Sequence, residues 1–498
     1  ILVNKYECMS TFHRMAFALL LLFVNASALF GQPMAKEDDL PKDYLTADFH
    51  AGRRAALRST MPDNSVMVIF AYPTRTYSND VEYLYHANPD MYYFSGYKEP
   101  HSLLIVFKEE QTDAEGNKYS ELLFVQKRNA QAEQWTGKRL GVEGAKQKLG
   151  IKMAFNGTDF KKFNINFSSF SKIIFDKIPV DIPNGWDNAD LFDLIQQFKE
   201  KAAMPEKIND DKRFDNQLYR ELTAQLREIK TPEELDLLRK AVEISCQGQN
   251  EVMKAVNPNM SELEIQGLHE YVHKKYGAES VGYGSIIGAG ENGCILHYME
   301  NTKTKVGTSM LLMDVGAEYH GYTADVTRTI PVDGKFSNEE RQIYQLVYDA
   351  QEAAFKTLKD GSKWADATEA AQQVIADGLL NLGIIKNKNE VRKYYPHGLG
   401  HHIGMDVHDR GTYDKLKKDM VITIEPGIYI PEGSNCDKKW WSIAVRIEDD
   451  LLITENGYEL LSHFAPRKIE EIEKKIAEKS AVDDFKLPPL ESGKKKGF

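Results

Sequence analysis

Five residues of metal-ligand type, Asp314, Asp325, His401, Glu425 and Glu448, are spread over the second half of this chain. They fall in four short segments, MDVGAEYHGYTADVTR, HGLGHHIGMDVHD, TIEPGIYI and VRIEDD, each of which reads as a strand or a glycine-marked turn. A site made from all five requires a fold that brings separate strand ends together. Four carboxylates and one imidazole form a hard, oxygen-rich donor set, which suits two divalent ions such as Mn²⁺ better than a single structural Zn²⁺. Two such ions sharing an activated water carry out hydrolysis, so the expectation is a metallohydrolase.

The pattern within each segment supports one site. Asp314 ends the apolar run SMLLMD, and Gly316 and Gly321 bracket the way to Asp325. A hairpin turning near residues 318–320 is expected to set the two carboxylates roughly opposite on one face, where they repel unless a cation lies between them. His397, His401, His402 and His408 crowd one glycine-punctuated run. Glu425 follows VITI and precedes Pro426-Gly427, a strand-end signal, and Glu448 follows Arg446 by two, which places both on one face of one strand. A Glu on an apolar strand needs a metal or a partner, and Arg446 can hydrogen-bond a ligand carboxylate from behind. His297, after the glycine-rich VGYGSIIGAGENG, is expected in a loop near the site.

At 498 residues the chain is long for one core, so two domains are expected. The helix-like FHAGRRAALRSTM and the strand-like SVMVIFAY, MYYFSGY, SLLIVF, ELLFVQ and SKIIFD make an α/β domain with a mixed sheet over residues 44–217. Capping signals at Thr231-Pro232-Glu233-Glu234, Ser261 to Glu264 and Ser337 to Glu340 open three helices, and a fourth covers Trp364 to Leu382. Residues 225–465 are therefore read as an α+β domain with helices over a curved antiparallel sheet, and 466–498 as a charged helix and tail. The net charge of −11 argues against a nucleic-acid surface. The apolar run Met15–Val24, after His13 and Arg14 and before Ala26-Ser27-Ala28, reads as a cleavable signal peptide over residues 1–31. It is too short for a standard membrane span, so secretion or a periplasmic location is expected, without a stable membrane anchor. Cys246, Cys294 and Cys436 are an odd set without zinc spacing; one bridge with a free thiol and three buried thiols both stay open.

The five-residue pattern, with HYMEN before it and HGLGHHIGMDVHD and RIEDD within it, resembles the pita-bread metallopeptidases over about residues 231–462. That family includes methionine aminopeptidase, prolidase and Xaa-Pro aminopeptidase. The segment NDVEYLYHANPDMYYFSGYKEPHS is similar to the N-terminal domain of prolidases and Xaa-Pro aminopeptidases, which disfavours the methionine type. The resemblance implies a pita-bread fold, two divalent ions (Mn²⁺, with Zn²⁺ or Co²⁺ as alternatives) on Asp314, Asp325, His401, Glu425 and Glu448, and Asp325 and Glu448 as bridging ligands. It gives His297 and His408 contacts to substrate and the tetrahedral intermediate, His397 a further active-site place, Arg446 the orientation of a ligand carboxylate, and Glu425 the proton shuttle. The expected substrate is a peptide with proline second, cut before the proline; a prolidase restricted to dipeptides is the alternative, and a metal-free binding module is a second. A homo-dimer or homo-tetramer is expected on the same ground. Two departures stand out: Ala444 where the family has glycine, and a long PEGSNCDKKWW loop whose Trp440 and Trp441 serve as lid or as packing.

Overall fold

The computed structural model describes residues 41–113, 115–185 and 188–488. The signal-peptide reading of residues 1–31 lies outside them, as does the end of the tail. Leu45–Phe498 is one compact unit. Among the described residues no helix is long and apolar enough to cross a membrane.

The N-terminal part is an α/β layer on a six-stranded mixed sheet. Its centre is the strand Ser65–Phe70, antiparallel to Leu103–Thr112 and parallel to Lys172–Phe175. Lys118–Val125 extends the sheet antiparallel, and Ala154–Asn156 joins it parallel. Helix Ala47–Thr60 starts at Thr46, whose hydroxyl accepts from Phe49 N.

One expected strand is a helix. MYYFSGY forms the end of helix Pro89–Ser95, with Asn88 as cap accepting from Asp90 N, Pro89 in the first turn and Gly96 at φ 74 closing the end. Its residues are buried on every side, so no helical stripe is visible in the sequence, and the aromatic run mimics a strand. The cap, the proline and the glycine decide the outcome.

The remainder is α+β. Short antiparallel strands form four small sheets, including Ile286–Ala289, Met310–Val315 and Val326–Pro331 in one, and Val421–Ile424, Asp449–Ile453 and Tyr458–Leu460 in another. Helices Pro232–Ala255, Glu262–Lys275, Asn338–Phe355 and Trp364–Asn381 cover them. Thr231 and Ser337 open their helices with complete capping boxes. Ser261 makes half of one: its hydroxyl accepts from Glu264 N, with no return bond. Residues 218–230, where the sequence places a boundary, are the body and exit of helix Asn216–Arg227. Here Tyr219 and Leu222 share a core with Phe49, Tyr93, Leu238, Val242 and Tyr322, so one apolar cluster runs from the N-terminal layer into the second half. Cys8 lies outside the described residues; the three cysteines among them are free, Cys246 buried and Cys294 and Cys436 half-buried. Trp440 is 2% exposed in the core and Trp441 Nε1 donates to Ser434 O, so both tryptophans of the long loop are packing.

Candidate active site

The five residues converge because Asp314, inside strand Met310–Val315, meets four residues that stand at strand breaks or in a turn, Asp325, His401, Glu425 and Glu448. Met310–Val315 pairs with Val326–Pro331 so that Asp314 faces Thr327. Asp325, two residues before Thr327, lies diagonally from Asp314 rather than directly opposite it. The turn between them is His320-Gly321, with φ of 51° and 84°. Gly316 and Gly400 allow the close approach: a Cβ on either would stand 1.9 Å from a carbonyl oxygen, of Ala324 and Thr423 respectively.

Glu425 and Glu448 emerge at one shared break. Ile424 pairs with Asp449 in one sheet, and Gly427 with Arg446 in another. Pro426 has no N–H to continue the ladder, so the chain changes sheets there. The expectation that Arg446 and Glu448 share one strand is corrected accordingly: Arg446 ends Ile443–Arg446, and Glu448 precedes Asp449–Ile453. They still meet, since Thr327 Oγ1 donates to Glu448 Oε2 (2.6 Å) and lies 3.3 Å from Arg446 Nε.

Ligand atoms of Asp325, His401 and Glu448 lie within 4.8 Å of one another, all three buried. Asp314 and Glu425 flank this group. Tyr283 OH sits 2.5 Å from Asp314 Oδ1 and from Asp325 Oδ1, bridging the two. His401 Nε2 is 3.5 Å from both Asp325 Oδ2 and Glu425 Oε1, and its Nδ1 faces His402 O at 3.0 Å, which aims Nε2 at the carboxylates. Arg446 Nη2 donates to Asp314 Oδ2 at 2.5 Å, and its Nη1 to Tyr429 OH at 2.8 Å. Tyr429 OH in turn meets His397 Nε2 at 2.8 Å. His297 and His408 line the mouth of a cavity of about 390 Å³ above this group, with Leu296, Met299 and Val407. The His408 ring stands edge-on to His401, centroids 4.3 Å apart. Ala444 is buried behind the cavity among Ile286, Tyr298, Leu312 and Tyr429 and does not line it.

The electrostatics show a surplus of negative charge. Burial and the neighbouring Asp314 push Asp325 above the usual carboxylate range. Burial, then Asp325 and Glu425, push Glu448 well above it. Burial lifts Glu425 to about 7 against the pull of His401, with Asp325 adding to the rise. Asp314 alone goes down: burial would raise it, but the Arg446 charge and the hydrogen bonds from Tyr283 and Arg446 together outweigh burial. Burial would lower His401, yet Asp325 and Glu425 carry it up to about 9. Carboxylates held together against their mutual repulsion are stabilised by added positive charge. With oxygen donors and one imidazole at this spacing, the donor set fits a divalent cation.

Sequence reasoning missed four members of this arrangement: Tyr283, Thr327, Tyr429 and Asp450. Asp450 Oδ2 accepts from Asp325 N at 3.0 Å. Tyr283 sits in the glycine-rich segment and Thr327 two residues after Asp325, so position relative to the acids was the only signal for them.

A pita-bread fold with buried acids and one histidine under an open cavity defines a metal-dependent hydrolase. Residues 236–455 match metallopeptidase family M24, and residues 50–172 match the aminopeptidase P N-terminal domain. The chain is 33% identical to an Xaa-Pro aminopeptidase of Escherichia coli, over 84% of this chain and 96% of that protein. It is 28% identical to the mitochondrial intermediate cleaving peptidase 55 of Arabidopsis thaliana, over 90% and 87%. Among solved structures it resembles Escherichia coli aminopeptidase P with the inhibitor Pro-Leu at TM-score 0.76 and 31% identity, covering 87% of this chain and 98% of that one. It resembles Pseudomonas aeruginosa aminopeptidase PepP at TM-score 0.76 and 33% identity, with the same coverage. The chain belongs to metallopeptidase family M24, with an N-terminal domain of the aminopeptidase P type.

Proposed function

We propose that this metallopeptidase removes the N-terminal residue from peptides with proline second, using two divalent ions, Mn²⁺ in the first place. The observation that carries the reading is the buried Asp325–His401–Glu448 group, flanked by Asp314 and Glu425, at the floor of the cavity. The likeness to Xaa-Pro aminopeptidases over nearly the whole of their length supports the substrate. Asp314, Asp325, His401, Glu425 and Glu448 would hold the ions. Bound there, the ions would supply Lewis acidity and lower the pKa of water.

The chain's own groups do the rest. Glu425 lines the cavity, where its carboxylate is placed to take a proton and return it to the leaving amine. Arg446 fixes Asp314 and keeps it ionised. His408, its pKa lowered by burial and by His401, faces the cavity with His297, where the two can donate to the carbonyl oxygen as charge develops. His397 acts on the opposite wall through Tyr429. An Xaa-Pro bond has no N–H, so selectivity rests on a cavity that accepts the pyrrolidine ring rather than on that donor.

The test is hydrolysis by metal-stripped, Mn²⁺-reloaded protein of an Arg-Pro-Pro tripeptide beside the dipeptide Ala-Pro and the tripeptide Met-Ala-Ser. Mn²⁺-dependent release of arginine is the expected outcome. Cleavage of Ala-Pro alone moves the assignment to a prolidase, and no cleavage of any of the three sinks the reading. We also propose export from the cytosol, on the Met15–Val24 run and the small residues after it; N-terminal sequencing of the native protein starting before Ala28 would refute it.

A further inference from the structure

Glu262 is a carboxylate with no exposed surface, outside the metal-type group. A buried carboxylate persists only when its oxygens are bonded, and Glu262 collects donors from one segment only, residues 289–303. Oε1 accepts from Ala289 N (2.9 Å) and Asn292 Nδ2 (3.0 Å). Oε2 accepts from Tyr298 OH (2.9 Å) and Lys303 N (2.8 Å). The Glu262 N–H donates to Lys303 O at 3.0 Å. Its place in the first turn of helix Glu262–Lys275 adds the favourable helix end to these bonds.

The side chain thus clasps both ends and the middle of the loop. Tyr298 OH relays the hold, accepting from Thr302 N (3.0 Å) and Asn292 Nδ2 (2.9 Å). Gln266, one turn along the same helix, takes the Asn301 amide at 2.8 Å. With Leu296 and Met299, this loop presents His297 to the cavity, and His297 is its one titratable side chain there, next to Tyr298 in the chain. Among the described residues nothing hydrogen-bonds the His297 ring, so its position is set through the backbone that Glu262 holds. His408 lines the same cavity from another segment of the chain.

We propose that Glu262 is a positioning residue of the active site, which holds the 289–303 loop so that His297 faces His408 across the substrate cavity. The inference rests on the reading of His297 as a substrate contact. Displacement of a catalytic group by about 1 Å costs on the order of 100-fold in rate. In the Mn²⁺-loaded enzyme, Glu262→Gln is expected to lower kcat/KM by about that factor. In a His297→Ala background the same change is expected to cost less than about 2-fold, because the group it positions is gone. Metal content is expected to match the unmutated protein, since Glu262 touches none of the five ligands. Tyr298→Phe removes one donor without burying a new charge and carries the same cycle if Glu262→Gln does not fold.

A second readout needs no turnover. In ¹H–¹³C spectra of the histidine rings, Glu262→Gln and Tyr298→Phe are expected to shift the His297 signal while leaving those of His50 and His463 in place. Losses that multiply in the double variant, or wild-type kcat/KM in Glu262→Gln, overturn the proposal. So does an unmoved His297 signal. A protein that cleaves no peptide, but whose His297 signal moves as expected, refutes the peptidase reading and leaves the positioning role standing.

Discussion

Asp325 and Asp409 are both buried aspartates, and their surroundings drive them in opposite directions. Asp409 is held below the ordinary range, because Arg227 and Lys230 outweigh its burial. Asp325 is pushed above it, because burial and Asp314 act together. Asp409 belongs to a junction network in which Arg227 reaches Asp90 (2.9 Å), Asp409 (2.6 Å) and Asp406 (2.7 Å). Lys230 adds a second bond to Asp409, and Arg410 binds Asp176. Each acid there has a fixed cation from the chain. At the active site Asp325 and Glu425 share His401, Arg446 is bonded to Asp314, and Glu448 takes a hydrogen bond from the neutral Thr327 hydroxyl. A network complete in itself holds the fold together, whereas an incomplete one holds a place for a charge from outside.

The largest test of that contrast is a pair of variants in metal-free protein. Arg227→Met leaves Asp90 and Asp409 buried without their main cation and is expected to cost about 3–5 kcal/mol in urea unfolding. Asp325→Asn is expected to leave stability unchanged or raised, since an amide relieves repulsion. Comparable destabilisation by both would break the contrast. Next in size, Mn²⁺ at 100 times its Kd is expected to stabilise the unmutated protein by about 2.7 kcal/mol in calorimetry, and Asp325→Asn by far less. Equal stabilisation of the two would place the ion elsewhere.

The smallest effect concerns buried polar groups that belong to neither network. His269 and His273 lie on helix Glu262–Lys275, buried, with no hydrogen-bond partner on either ring. Burial lowers His273 to about 4 and His269 well below its ordinary value. The folded state then binds fewer protons than the unfolded one, so stability falls as pH drops from about 6.5 towards 4. At pH 5.5 the His273 ring is expected to cost about 1.4 kcal/mol, and His269→Leu/His273→Leu to flatten the acid limb of Tm against pH. An unchanged limb in that variant would assign the acid sensitivity to other groups.

Much of this was legible because it rests on local rules. The strands Ser65–Phe70 and Lys172–Phe175 follow from apolar runs, and helix Pro232–Ala255 from its capping box. The four acids and His401 stood out because such residues have little reason to cluster at apolar strands and glycine-marked turns in the absence of a ligand. Helix Pro89–Ser95 was lost because burial on all sides erases periodicity. The step between Arg446 and Glu448 was lost because a change of sheet depends on what pairs across from it, here Pro426. Tyr283 and Tyr429 were lost because a neutral hydroxyl in an apolar run looks like core until the acids it serves are in place.

The apolar cluster running from Phe49 and Tyr93 to Leu238, Val242 and Tyr322 makes the two sequence-matched regions poor building blocks for separate use. Either half, cut free near residue 230, would turn a greasy inner wall into an outer one and clump with its own kind. A lesion in the amino-terminal layer that opens this cluster is therefore expected to weaken the catalytic half too, without touching any residue of its cavity.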